Sequence, residues 1–108
     1  MKITSDKIRE EFKNKAFISG NTFLLKPKDA ISMIEKGVAC GLEIAGVDGF
    51  FVIPPKIQPY QEHSKDAADT KLSAKEFEKE IIKFLSDKCR ETFWFEVVFE
   101  SDVLQQDD

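Results

Sequence analysis

The most regular pattern in the chain is an alternation of apolar and other residues between Thr92 and Glu100. A period of two is typical of a β-strand that places one face in a core. The buried face of this strand would carry Phe93, Phe95, Val97 and Phe99. The opposite face would carry Trp94, Glu96, Val98 and Glu100. Trp94 shares this opposite face with two glutamates, which is consistent with a binding surface. It is equally consistent with a tryptophan that a loop partly covers.

Helical spacing predicts two well-marked helices. The first begins at Pro27, where a missing N–H costs nothing, and ends at Gly41, which suits the left-handed conformation of a helix stop. Its apolar positions are Ala30, Ile31, Ile34 and Val38. The second begins after Ser73, which forms a capping box with Glu76. Its buried stripe would be Phe77, Ile81, Phe84 and Leu85.

Weaker signals lie before the first of these helices. Thr4 or Ser5 is a suitable cap for a short helix that reaches about Asn14. Gly20 and Asn21 indicate a turn, and residues 23–25 read as a short extended piece.

Between the two helices, residues 41–54 predict a β-hairpin. Apolar runs flank Asp48-Gly49, and this dipeptide suits a tight turn that needs positive φ. Pro54 and Pro55 should end the second strand or place it at a sheet edge. Residues 56–61 would form a further short strand, and the polar residues 62–71 an exposed loop.

These elements predict an α+β fold, with a small, mostly antiparallel sheet (the hairpin plus the C-terminal strand) packed against two to three helices. The length of 108 residues indicates one domain, assigned to residues 1–100, followed by a disordered acidic tail at 101–108.

Charge is unevenly distributed along the chain. Residues 1–40 carry eight basic and five acidic side chains, whereas residues 41–108 carry eight basic and fifteen acidic ones. An acidic surface repels nucleic acid and attracts basic partners, although a merely solvated face is the simpler interpretation of charge alone. The absence of an apolar leader or membrane-length segment suggests a cytoplasmic protein. Cys40 and Cys89 are interpreted as free thiols, with a disulfide left open.

Motifs for a reaction are missing from the sequence. His63 is the sole histidine and falls in the predicted loop, where we expect it to be solvated. Cysteine and histidine spacings do not indicate zinc, and Asp66 with Asp69 lacks the further ligands of a calcium loop. No glycine-rich phosphate loop is present. We therefore expect a binding protein without catalytic residues, metal or cofactor, rather than an enzyme.

The segment from Leu25 to Phe99 resembles the immunity proteins of the tRNA-cleaving colicins and related polymorphic and contact-dependent toxin systems. The residues that carry the resemblance are Ala30-Ile31, Gly41-Leu42, Ile44 and Gly46-Val47-Asp48-Gly49. The resemblance implies an antitoxin that inhibits a cognate bacterial nuclease by covering its RNA-binding cleft. Because such a cleft must be basic to bind phosphates, carboxylates and aromatic rings are the expected contact groups. The partner would be the toxin domain, with no direct contact to nucleic acid or membrane.

The toxin-binding candidates are Glu43 and Asp48 on the predicted hairpin, Tyr60, Glu62, Asp66 and Asp69 on the predicted loop, and Trp94 and Glu96 on the final strand. Asp48 could instead serve only the turn. Two alternatives remain: a protein-interaction or regulatory domain with another partner, and a small enzyme or ligand-binding domain with a cleft near the hairpin.

Overall fold

A computed structural model describes residues 4–53, 56–87 and 93–104 of the chain. Its helices are α1 (Ser5–Glu11), α2 (Pro27–Ala39), α3 (Ala74–Asp87) and α4 (Glu100–Leu104). Its strands are β1 (Phe17–Ser19), β2 (Thr22–Leu24), β3 (Ile44–Ile53), β4 (Lys56–Asp66) and β5 (Phe93–Phe99). Short 3₁₀ turns cover Lys13–Lys15 and Ala67–Asp69. This order confirms the predicted α+β class.

The main sheet has β3 at its centre, with β4 and β5 antiparallel on either side. The small hairpin of β1 and β2 turns at Gly20, whose φ of 59° favours glycine. Leu25 and Phe95 exchange backbone hydrogen bonds of 2.9 and 2.7 Å. This reciprocal pair attaches the hairpin beside β5 and brings Phe17 and Lys26 next to the sheet.

The core lies on one face of the main sheet. Val47, Phe95, Val97 and Phe99 pack there against the buried stripes of α2 and α3, and Ile8 of α1 joins the same cluster. Gly37 of α2 is the point of closest approach, because a Cβ at this position would lie 2.5 Å from Cζ of Phe99. The apolar face predicted for β5 is therefore confirmed.

The helix boundaries follow local capping chemistry. Thr4 accepts a hydrogen bond from the N–H of Lys7 and caps α1. Gly41 follows α2 with φ of 95°, in the left-handed region. The N–H of Glu76 donates to Oγ of Ser73, and the N–H of Ser73 donates to Oε1 of Glu76. The predicted capping box is thus confirmed.

The predicted Asp48-Gly49 turn is wrong. Both residues lie inside β3, and φ of Gly49 is not positive. Ile53 pairs with Lys56, so the chain reverses between these two residues. The prolines that were expected to end the strand, Pro54 and Pro55, lie outside the described residues. Glycine is required at position 49 for another reason, since a Cβ there would lie 2.5 Å from Cβ of His63. A dipeptide that suits a turn also suits close packing between strands.

The predicted exposed loop at 62–71 is also wrong in its first half. β4 continues to Asp66 and holds His63 in a buried position. The register of β4 against β3 passes from Gly49–Tyr60 to Val47–Lys65, so residues 61–64 bulge opposite Asp48. The bulge breaks the alternation by which strands are identified in sequence.

The tail prediction needs correction as well. Residues 101–104 continue α4, while residues 105–108 lie outside the described residues. Asp102 accepts hydrogen bonds from the Arg9 guanidinium, the Ser5 hydroxyl and the Phe99 N–H. Arg9 also donates to the Val97 carbonyl at 3.1 Å. These bonds connect α1, β5 and α4, so the two ends of the described chain hold each other in place.

The described residues also bear on membrane insertion and on the state of the cysteines. Within the described residues, no helix is both long enough and apolar enough to cross a membrane. Cys40 is a half-buried free cysteine, and Cys89 lies outside the described residues.

Candidate functional site

The candidate site is the face of the main sheet opposite the core, which we call the outer face. Asp48 pairs with Glu96 across β3 and β5, and the next outward-facing pair is Phe50 with Trp94. Alternate residues of a strand face the same side, so these four side chains share one surface. Asp48 is exposed and the other three are half-buried. Of the predicted candidates, the structure therefore brings Asp48, Trp94 and Glu96 together.

Two carboxylates stand directly opposite each other in this pair. Like charges at opposed positions of neighbouring strands destabilise a sheet. Burial raises the pKa of Glu96, and the nearby Asp48 carboxylate raises this pKa further; Arg9 acts in the opposite direction, but the net shift is upward. The fold thus places Glu96 where burial and a neighbouring like charge both disfavour its ionised form. Such an arrangement is found more often at functional sites than elsewhere.

Trp94 is fixed in position from the side of the β1–β2 hairpin. The ring of Phe17 lies 5.9 Å from that of Trp94, with the two planes inclined by 56°. Nζ of Lys26 lies 5.3 Å above the centroid of the Trp94 ring, within the range of a cation–π interaction. Trp94 is half-buried and is contacted by both Phe17 and Lys26, so part of its side chain remains exposed.

A shallow depression of about 480 Å³ adjoins the carboxylate pair. It is lined by Asp48, Gly49, Phe50, Pro59, Ser64, Lys65, Asp66 and Asp69. Asp66 is held by the N–H of Ala68, which donates to its Oδ1 at 2.9 Å and begins the 3₁₀ turn. Three predicted candidates, at positions 48, 66 and 69, therefore border one concave and mostly acidic region, with one lysine among them.

The other candidates lie elsewhere. The hydroxyl of Tyr60 donates to Oε2 of Glu62 at 2.8 Å, and the Tyr60 ring packs against His63 and Phe93, on the side that faces the core. Glu43 precedes β3 and lines a different depression, between α2 and α3. The structure does not join Glu43, Tyr60 and Glu62 to the outer face.

His63 is the residue that sequence reasoning missed. Its ring lies 4.2 Å from Phe93 and is bordered also by Tyr60, Phe84 and Phe95. The expected solvated histidine is therefore a packed member of an aromatic cluster. The signal available in the sequence was Gly49, whose missing side chain leaves the space that His63 occupies.

The side chains of the outer face can bind a charged group through ion pairs and ring contacts. Among the described residues, no group of three or more His, Cys, Asp and Glu side chains could hold a metal ion. The outer face instead combines anionic groups with flat aromatic surface, and these groups suit cationic ligands.

No family model, curated protein or solved structure matches this chain. The function must therefore be inferred from the site itself and from the resemblance noted in the sequence.

Proposed function

We propose that this protein is a cytoplasmic immunity protein that binds a cognate bacterial nuclease toxin and covers its basic RNA-binding cleft with the outer face. The protein acts by binding alone, without a cofactor. The observation that carries the proposal is the opposed pair of Asp48 and Glu96, beside Phe50 and Trp94, on a face that the core does not use. The resemblance of residues 25–99 to immunity proteins supplies the class of partner.

The physical argument is one of complementarity. A nuclease cleft that binds RNA presents lysine and arginine to phosphates and often flat surfaces to bases. Asp48, Glu96 and the nearby Asp66 place negative charge where phosphates would lie, while Trp94 offers a ring where a base would stack. The repulsion between Asp48 and Glu96 in the isolated protein is relieved when a cation approaches. Charge complementarity of this kind increases the association rate and the selectivity of a complex.

The experiment is co-expression of the chain with the toxin domain encoded beside it. We expect cells to survive and the two proteins to purify together. Death of the cells, or survival without a complex, would refute the proposal. The purified pair then allows the association rate to be measured at increasing salt, where an interface dominated by charge slows markedly.

The variant that tests the site combines Asp48→Asn with Glu96→Gln. We expect its association rate to fall about tenfold at low salt. The control combines Glu10→Gln with Glu35→Gln, which removes the same charge from two exposed helix positions. If both double variants associate equally fast, net charge rather than the outer face directs binding.

A second candidate is a protein-interaction or regulatory domain with a different partner. It is supported by the opposed carboxylates beside aromatic rings, because this arrangement suits basic partners in general and is not particular to a nuclease. Failure of rescue together with binding of another basic protein through Asp48 and Glu96 would support this alternative.

A further inference from the structure

We propose that the outer face contains a receptor for an arginine side chain of the partner, in which the guanidinium stacks on Trp94 and its N–H groups pair with Asp48 and Glu96. The nature of the partner rests on the proposed function. The receptor itself is a property of this chain and can be tested separately.

Trp94 already holds a cation. Nζ of Lys26 lies 5.3 Å above the ring centroid, so a positive group of this chain occupies one face of the ring. Lys26 is exposed, and its flexible stem precedes the first residue of α2. Its ammonium can therefore move aside without disturbing the helix, and a stronger cation from outside can take its place.

The spacing of the two outward-facing pairs suits a flat cation that reaches both. Asp48 and Phe50 are two residues apart on β3, as are Trp94 and Glu96 on β5, so the acidic and aromatic pairs lie about 7 Å apart. A guanidinium is planar and carries its N–H donors along its edge. Stacked on the ring of Trp94, it can direct that edge along the sheet toward the carboxylates.

The same spacing distinguishes arginine from lysine. A lysine ammonium can sit on the ring or pair with a carboxylate, but its compact, strongly hydrated charge cannot satisfy both groups at this separation. A guanidinium stacks on aromatic rings and bonds carboxylates through its fork at the same time. The Phe17 ring packs 5.9 Å from that of Trp94, so the tryptophan is supported from one side before any ligand arrives.

Electrostatic strain in the empty site favours the same ligand. Asp48 and Glu96 repel each other across the sheet, and burial of Glu96 adds to the cost of its charge. One guanidinium between the two carboxylates removes the repulsion and replaces lost hydration with charge-assisted hydrogen bonds.

Trp94 is the sole tryptophan of the chain, so its fluorescence reports directly on this site. The probes are two glycine-rich pentapeptides with blocked ends, one carrying two arginines and the other two lysines. We expect the arginine peptide to change Trp94 emission in a saturable manner, with a dissociation constant about fivefold lower than that of the lysine peptide at equal salt. The Asp48→Asn/Glu96→Gln variant should lose this preference, and the Glu10→Gln/Glu35→Gln control should keep it.

Lys26 provides a test from the opposite direction. Lys26→Ala should bind the arginine peptide about two- to fivefold more tightly, because the internal cation no longer competes for the ring. Lys28→Ala serves as the control, because it removes an equal charge from the second residue of α2. Equal gains in both variants would show that only net charge matters, and would overturn the competition argument.

The results separate the two proposals. Absence of saturable binding, equal affinity for both peptides, or unchanged preference in Asp48→Asn/Glu96→Gln overturns the arginine receptor, even if the chain protects cells from a toxin. Arginine-selective binding without protection of cells supports the receptor and refutes the immunity function.

Discussion

Replacing Glu96 with glutamine should stabilise the protein. Glu96→Gln keeps the size of the side chain and removes one of two carboxylates that face each other across β3 and β5. The change acts on the isolated, folded chain and requires no partner. It tests the central premise that the outer face carries charge that the fold itself disfavours.

The magnitude follows from the geometry. Opposed residues of neighbouring strands have Cβ atoms about 5 Å apart, which places the charges about 6 Å apart. At an effective dielectric constant of about 40–80, two like charges at this distance repel by about 0.7–1.4 kcal/mol. Salt, side-chain rotation at a half-exposed site and the lost attraction between Glu96 and Arg9 reduce this to about 0.5 kcal/mol. For a domain of this size we expect the melting temperature to rise by about 2–4 °C.

The pH dependence has a definite sign. The pKa of Glu96 is raised in the folded state, chiefly by burial and then by Asp48. The folded protein therefore binds this proton more tightly than the unfolded chain does, and the associated stability is lost as pH rises through the folded pKa. The advantage of Glu96→Gln should be full at pH 7 and should vanish below about pH 4, where the carboxyl group is protonated in both states.

The assay is urea unfolding of the wild-type and variant proteins at pH 7 and pH 4, at low and high salt. Glu35→Gln, at an exposed position of α2, controls for the loss of one negative charge. A destabilised Glu96→Gln, or a gain equal to that of Glu35→Gln at every pH, would refute the reasoning. Asp48→Asn should give a similar gain, and the double variant less than the sum, because either change alone removes the repulsion.

Three further predictions concern the fold around the site. Gly49→Ala should lower the free energy of unfolding by about 2 kcal/mol in urea titrations, because the new Cβ would lie 2.5 Å from Cβ of His63 and 3.2 Å from its backbone oxygen. Gly37→Ala should cost about 1 kcal/mol despite the better helix propensity of alanine, since the fully buried Phe99 ring cannot retreat; a higher melting temperature would contradict this. Asp102→Asn should cost about 1–2 kcal/mol at pH 7. Burial acts to raise the pKa of Asp102, but the hydrogen bonds that this carboxylate accepts outweigh burial, and the net pKa is lowered. The wild type therefore loses stability as pH falls through the folded pKa, and the difference in unfolding free energy between wild type and Asp102→Asn should disappear in acid.

Sequence patterns were sufficient for α2, α3 and β5. The fixed φ of Pro27, the left-handed conformation of Gly41 and the hydrogen bonds of the Ser73–Glu76 box each act within a few residues, so their effect is visible in the sequence. The outward positions of Trp94 and Glu96 followed from the alternation of β5 for the same reason.

Local sequence patterns could not predict how β3 pairs with β4. Asp48-Gly49 satisfies the local requirements of a turn, yet the reversal occurs after Ile53. The competing factor is contact between strands: Gly46 lies against the backbone of Lys65, and Gly49 against His63, where no side chain would fit. The length of β4 and the burial of His63 depend on that pairing and were missed together with it.

The amino-acid sequence by itself therefore determined the fold class, the ends of the main helices and the two faces of β5, because these depend on residues near one another in the chain. Only the tertiary structure decided that Asp48 stands opposite Glu96, that Lys26 lies over Trp94, and that Glu43 belongs to another surface. The first two relations join residues 48 and 68 positions apart, and the third places Glu43 beside residues of α3 at least 31 positions away. Register is selected by packing of the whole sheet, where one residue of slip would reverse the faces of a strand.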